Sequence, residues 1–282
     1  MSTPGTTLVI GATGTTGSRT VAQLTAAGHR VKAASRHATP IQGAEPVTFD
    51  WYDPATHAAA LVGVDRVYLI PPLGDSDPAA IMLPFLRQAR SAGTHRAVLL
   101  SSSAISEGGP AVGAVHQALP DLFDQWAVLR PSWFMQNFTG THAHALSIRE
   151  NGTIWTATGS GRVGFVDAED IASVAVRALT DERAPDTDLV LTGPEALSYD
   201  DIAAIITEVT SRPVIHGRLS YEQMRDRLAA VVPMRFASLL AGMDRAIAEG
   251  AEDRITDTVQ RLTGRPARTF RAFLAREMQD NR

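Results

Sequence analysis

The chain has 282 residues, 44% hydrophobic and 20% charged, with a formal net charge of −4 and no cysteine. This is ordinary composition for a globular protein with a sizeable core. It offers no basic surface for nucleic acid and excludes disulfides, thiolate metal sites and a cysteine nucleophile. The first apolar run starts within ten residues of Met1, so no signal peptide is expected. No run approaches the ~20 apolar residues of a membrane span. A cytoplasmic protein with neither a membrane nor a nucleic-acid partner is expected.

In chain order, Thr7–Ile10 reads as a strand and residues 15–27 as a helix ending at Gly28. Arg30–Ala34 and Pro46–Phe49 are strands, residues 54–62 a helix, and Arg66–Ile70 a strand stopped by Pro71 and Pro72. A helix over 77–92, a strand at Arg96–Leu100, a helix over 111–124 and a strand at Trp126–Arg130 follow. These strands are continuous apolar runs, the pattern of strands buried on both faces. Their alternation with helices predicts an α/β, Rossmann-like doubly wound parallel sheet. Further on, residues 133–149 read as helix, Thr153–Thr156 and Arg162–Val166 as strands around Thr158–Gly161, and Asp167 or Asp170 as the cap of a helix to about Leu179. Asp188–Leu191 reads as a strand, Ser198 as a cap with Asp201 at the third helical position, and 220–282 as mostly helical. The expected organisation is a single domain, 1–282, with a smaller, mostly α lobe from about 133–160 and 195–282.

Gly11, Gly14 and Gly17 fall between the first strand and first helix, spaced G-x-x-G-x-x-G. One glycine allows the tight turn, one lets backbone approach a pyrophosphate, and one lets helix pack on strand. The helix start supplies free N–H groups and a positive dipole end. A dinucleotide site follows. After the second strand, an NAD-selective site would carry Asp or Glu for the ribose 2′-hydroxyl. Here the chain runs Ser35-Arg36-His37, and Arg36 suits a 2′-phosphate and adenine stacking. NADP(H) is the expected cofactor. Asp50 could accept from the adenine amino group, and the adjacent Trp51 reads more readily as packing.

Among 26 basic residues only Lys32 is lysine, and the tyrosines are Tyr52, Tyr68, Tyr199 and Tyr221. The Tyr-x-x-x-Lys pair of short-chain dehydrogenases, in which tyrosine moves the substrate proton and lysine lowers its pKa, cannot form in the window between Ser101 and Arg130. His116 is the only imidazole there, readable as a general acid or as packing. Ser101–Ser103 end the fifth strand at the ligand edge of such sheets, readable as hydrogen-bonding partners of ribose or substrate. No G-x-S-x-G elbow accompanies them, and no cluster has metal-ligand spacing.

The stretch Leu129-Arg-Pro-Ser-Trp-Phe-Met-Gln-Asn-Phe138 is the second distinctive feature. Together with the glycine motif, Ala34-Ser-Arg36, Ile70-Pro-Pro72, Leu100–Ser103 and Phe165-Val-Asp-Ala-Glu-Asp-Ile171, it resembles the NmrA-like family of atypical short-chain dehydrogenases, over about residues 6–215. Val115-His116 with the 129–138 stretch is similar to the branch of ergot-alkaloid reductases and quinone reductases, in which the Tyr/Lys pair is also lacking. The resemblance implies cofactor contacts from Gly11, Thr13, Gly14, Thr15, Thr16, Gly17, Ser35, Arg36, Asp50, Trp51, Ile70, Pro71, Pro72, Ser101 and Ser102, with Pro131, Ser132 and Phe134 beside the nicotinamide. It implies a substrate pocket lined by Trp133, Met135, Asn137, Phe138 and Trp155, for which core packing is the structural reading.

Two functions fit. One is a reductase passing hydride from NADPH to a small electrophile, an iminium or quinone, which needs no acid at the hydride step. The other is a non-catalytic NADP(H) sensor of the NmrA-like type. A sugar epimerase would normally need the missing pair. A small-molecule substrate is expected, with the chain a monomer or homodimer.

Overall fold

The fold is described from a computed structural model of residues 5–72, 74–75 and 77–280; Met1–Pro4, Leu73, Ser76, Asn281 and Arg282, the last two within the expected helical tail, lie outside the described residues. The apolar runs of the first half become β1 (Thr6–Ile10), α1 (Thr15–Ala26), β2 (Arg30–Ser35), β3 (Glu45–Thr48), a 3-10 turn into α2 (His57–Leu61), β4 (Arg66–Leu69), α3 (Pro78–Ser91), β5 (Arg96–Leu100), α4 (Gly113–Leu122) and β6 (Gln125–Pro131). The chain continues through α5 (Ala143–Asn151), β7 (Thr153–Thr156), β8 (Arg162–Val163), α6 (Ala168–Thr180) and β9 (Thr187–Leu191). It ends with β10 (Leu197–Ser198), α7 (Tyr199–Thr210), β11 (Ile215–Arg218), α8 (Tyr221–Ala229), α9 (Met234–Ala248), α10 (Thr258–Thr263) and α11 (Phe270–Asp280).

Two compact units divide these elements. The first is Met1–Pro131, Ala168–Leu191 and Thr258–Gly264; the second is Ser132–Asp167, Thr192–Asp257 and Arg265–Arg282. The first contains the expected parallel sheet, ordered β3-β2-β1-β4-β5-β6-β9. Its central strands are buried on both faces, as their apolar runs require. Leu8, Ile10, Val67, Leu69, Ala97 and Leu99 join the core beneath α2, α3 and α4. The intervening side chains point the other way, where α1 and α6 pack together and the Tyr68 hydroxyl reaches Thr16 Oγ1 at 3.3 Å. The order reverses at β1: the chain first builds outward to β2 and β3, then returns to place β4 on the other side. Such a switch point opens a crevice at the carboxyl ends of the strands.

Arg96 ties the sheet to α6. Only 2% exposed, it donates from Nη1 to the carbonyls of Leu179 (2.9 Å) and Asp181 (2.7 Å) and from Nε to Gln125 Oε1 (2.7 Å). The last carbonyls of a helix have no partner within it, and a cation there also suits the helix dipole.

The second unit holds an aromatic and aliphatic core. The Phe138 ring meets Phe165 and Phe270, each at 5.3 Å between centroids. Two short sheets, β10 with β8 and β11 with β7, flank it. The expected cap at Ser198 is present as a full box: Ser198 Oγ accepts from Asp201 N–H at 3.1 Å, and Asp201 Oδ2 accepts from Ser198 N–H at 2.9 Å. Two expectations differ, and one strand was not anticipated. The 133–149 helix is split into a 3-10 turn, Met135–Phe138, and α5, because Gly140 takes φ +63° and His142 Nδ1 restarts the helix by accepting from His144 N–H at 3.2 Å. The 162–166 strand is only two residues long, with Val166 bridging Phe134 instead. β11 carries no apolar run; its burial pattern is exposed and intermediate, so periodicity had nothing to report.

Replacing Arg96 with leucine leaves several buried carbonyls without donors and should cost about 3 kcal/mol. Urea unfolding of Arg96→Leu tests this; a loss below about 1 kcal/mol would show that water or neighbouring groups replace the guanidinium.

Candidate functional site

The crevice at the β1/β4 switch point is a cleft of about 410 Å³ formed within the first unit. The loops after four strands converge on it: Gly11, Thr13 and Gly14 after β1, Ser35 and Arg36 at the end of β2, Asp50 and Trp51 after β3, Ile70, Pro71 and Pro72 after β4. Ten residues expected at a cofactor site are therefore brought together. Gly11 has φ +72°, a conformation that favours glycine. Gly14 N–H donates to the Gly11 carbonyl at 2.9 Å, closing the turn. A Cβ on Gly17 would lie 2.1 Å from that same oxygen, so only glycine lets α1 start here. Gly14 caps α1 with no side chain, and the first turn holds no acidic residue. The N–H groups and positive dipole end are left for an anion.

Other expected residues have structural duties. Trp51 is buried, packs edge-on against Phe49 and Phe85, and donates from Nε1 to the Ile70 carbonyl at 3.0 Å. Its ring braces two walls of the cleft. Asp50 Oδ1 accepts from Tyr52 N–H at 3.0 Å. Thr15, Thr16 and Gly17 lie in the first turn of α1 and do not line the cleft. Arg36 is exposed at the rim, with no side-chain hydrogen bond or ion pair among the described residues. Tyr52 also lines the cleft and was not singled out in the sequence; it is 62% exposed and donates to Asp75 Oδ2 at 2.7 Å. Its only signal is its place two residues beyond Asp50.

Ser101 and Ser102 follow β5, outside this cleft. Ser101 Oγ is buried without a hydrogen-bond partner, and Ser102 Oγ accepts from Ala104 N–H at 3.3 Å. An orphaned buried hydroxyl at the strand edge fits a ligand carrying polar groups. Together with the glycine turn that a Cβ would fill, it suits a dinucleotide. Pro131 ends β6 and is buried. Ser132 Oγ donates to Glu252 Oε2 at 3.1 Å, and Phe134 pairs with Val166; both belong to the second unit. His116 lies in α4, buried, with Nδ1 unpartnered and the ring 6.3 Å from Trp126. Burial, the largest effect, lowers its pKa against the pull of the Asp188 and Glu107 carboxylates, which favours the neutral ring.

The second unit has its own cavity of about 540 Å³. Trp133 and Trp155 line it. Met135 and Phe138 are instead sealed in the core, and Asn137 does not reach the cavity wall. The remaining wall comes from α5, α8 and α9, including His142, His144, Ser147, Arg227, Leu228 and Asp244. Of these six, Ser147, Arg227, Leu228 and Asp244 were not singled out in the sequence. Asp244 had a readable signal, because it shares the buried stripe of α9 with Ala237, Ala241 and Ile247. A carboxylate on an apolar stripe is an anomaly. Burial pushes its carboxyl up to about 6, partly offset by the Ala157 N–H it accepts at 2.8 Å.

The family model described as NAD(P)H-binding matches residues 11–182. The chain belongs to this NAD(P)H-binding family. The oxidoreductase YesF of Bacillus subtilis is 45% identical over 269 residues, spanning 95% of this chain and 93% of that one. Agroclavine dehydrogenase of Claviceps fusiformis is 38% identical over 251 residues, 86% of each chain. An NADPH-dependent quinone oxidoreductase of Escherichia coli, solved with NADPH, has the same fold, with a TM-score of 0.81 at 23% identity over 96% of this chain and 99% of that one. The NmrA-like resemblance carried by the motifs agrees with these matches. No helix among the described residues is long and apolar enough to cross a membrane, and no group there could hold a metal ion.

The raised carboxyl of Asp244 has a consequence for stability. The folded chain holds this proton more tightly than the unfolded chain does. Stability therefore falls as pH rises from about 4 to 6, and the penalty is complete above that range. Asp244→Asn should be more stable than the parent at pH 8 by about 2 kcal/mol, with the gap closing near pH 4. Denaturant unfolding at both pH values checks this; a gap independent of pH would contradict it.

Proposed function

We propose that the protein is an NADPH-dependent reductase that delivers hydride to a small, largely apolar electrophile, an iminium or a quinone, without a tyrosine–lysine pair. The observation that carries this reading is the position of the only lysine. Lys32 Nζ donates to the Val62 carbonyl at 2.7 Å, with Glu45 3.9 Å away, so it serves β2 and its neighbours. The tyrosines serve other ends. Tyr68 and Tyr199 are fully buried, and burial raises both phenols far above neutrality. Tyr52 is bonded to Asp75, and Tyr221 lies under the Arg245 guanidinium at 4.8 Å.

Bound NADPH would supply the hydride. The chain's own groups would hold it: the N-terminal N–H groups of α1 would receive the pyrophosphate, and Arg36, with no side-chain partner among the described residues, would meet the 2′-phosphate. No carboxylate follows β2 to accept from a ribose 2′-hydroxyl. Burial disfavours the imidazolium form of His116, which makes its ring a poorer acid toward an alkoxide. The chemistry must then favour substrates that need no acid. An iminium is neutralised by hydride, and a quinone gives a stabilised anion that solvent protonates. In this reading the second unit is the substrate lobe, with its cavity walled by Trp133 and Trp155. The similarity to named oxidoreductases, over 95% and 86% of the chain, supports the class.

NADPH oxidation followed at 340 nm with iminium, quinone and simple ketone acceptors tests the reading. Iminium or quinone should turn over, and ketones should lag in kcat/KM by about 100-fold or more. Comparable ketone turnover would contradict it.

A further inference from the structure

We infer that the cavity of the second unit is a cation site, in which Asp244 supplies the counter-charge for a planar, positively charged molecule lying on the Trp133 and Trp155 walls. The inference rests on the reductase reading only for the name of the class, since it selects the iminium over the quinone.

Asp244 is 9% exposed. Its Oδ2 accepts a single hydrogen bond, from Ala157 N–H at 2.8 Å, and it has no ion-pair partner among the described residues. A buried carboxylate with one donor is costly unless something compensates it. The other ionisable groups on the wall do not. Burial pushes His144 down to about 3, helped by His142 and His216, and its ring stacks on Phe138 at 5.6 Å. Burial also lowers His142, whose Nδ1 already accepts from His144 N–H. Arg227 is exposed, lies over the Trp155 ring at 5.3 Å and forms no ion pair with Asp244. The cavity thus presents a buried carboxylate, with no ion-pair partner among the described residues, beside two indoles, whose rings attract cations through the quadrupole, as the Arg227 guanidinium over Trp155 shows. Ser147 lines the same cavity, and its Oγ is buried without a partner. That is a second polar group in want of a ligand. A delocalised cation satisfies the carboxylate and stacks on indole. A quinone meets the carboxylate with acceptor oxygens, and its anionic product is repelled.

Calorimetric titration at pH 8 without NADPH, using 1-methylquinolinium and its uncharged isostere 1-methylnaphthalene, reads the charge preference directly. The parent protein should bind the cation about tenfold or more tightly than the isostere. Asp244→Asn should bring the two within about twofold by weakening the cation alone, whereas Trp155→Leu should weaken both. Equal affinities in the parent protein, or a preference surviving Asp244→Asn, would overturn the inference. If Asp244→Asn does not fold, the two-probe comparison on the parent protein decides alone. A charge preference in a protein that reduces no acceptor would sink the reductase reading and leave the cation site standing. Quinone turnover without a charge preference would do the reverse.

Discussion

The contact between Gly17 and the Gly11 carbonyl is the constraint from which the nucleotide end of the fold follows. A Cβ at position 17 would sit 2.1 Å from that oxygen, far inside any van der Waals separation. Because the atom is missing, α1 can begin immediately after the turn and lie against the sheet. Its uncapped N-terminus then opens at the crevice where strand order reverses. Backbone N–H groups, a dipole end and the loops after β2, β3 and β4 meet there for topological reasons. Trp51 keeps those loops apart at a set distance by bonding one wall while packing on another.

Two buried charges show how differently the chain treats structure and site. Arg96 is surrounded by acceptors, with carbonyls from the end of α6 and the Gln125 amide oxygen sharing its donors. Its charge is consumed in holding a helix to a sheet. Asp244 receives one backbone N–H and nothing else among the described residues, at the wall of a cavity. A satisfied buried ion contributes to architecture. An unsatisfied one lowers stability, and such groups collect where a ligand completes them.

Much of the fold was legible because its strands are buried on both faces. Leu8 to Ile10, Val67 to Leu69 and Ala97 to Leu99 are uninterrupted apolar runs whose meaning does not depend on distant neighbours. The elements missed were those set by context. β11 is a half-exposed strand without periodicity, and the break at Gly140 depends on a histidine capping α5 through its ring nitrogen. The residues that line the cleft of the first unit were readable for a related reason: glycine spacing and the arginine after β2 report backbone and charge requirements that few other sites impose. The residues that line the cavity of the second unit were not. Met135 and Phe138 have the same apolar bulk as Trp133 and Trp155, and only packing separates a core side chain from a cavity wall. Asp244 was not singled out either, though it is conspicuous on the apolar stripe of α9 once the helix is drawn.

The central claim is that this glycine turn serves a phosphorylated dinucleotide, with Arg36 reading the extra phosphate. Isothermal titration of NADPH and NADH into the parent protein and Arg36→Glu tests it most directly. The account predicts that the parent prefers NADPH by about tenfold or more and that the variant loses NADPH affinity while NADH affinity changes little. Equal affinities in the parent, or equal losses of both cofactors in the variant, would contradict it.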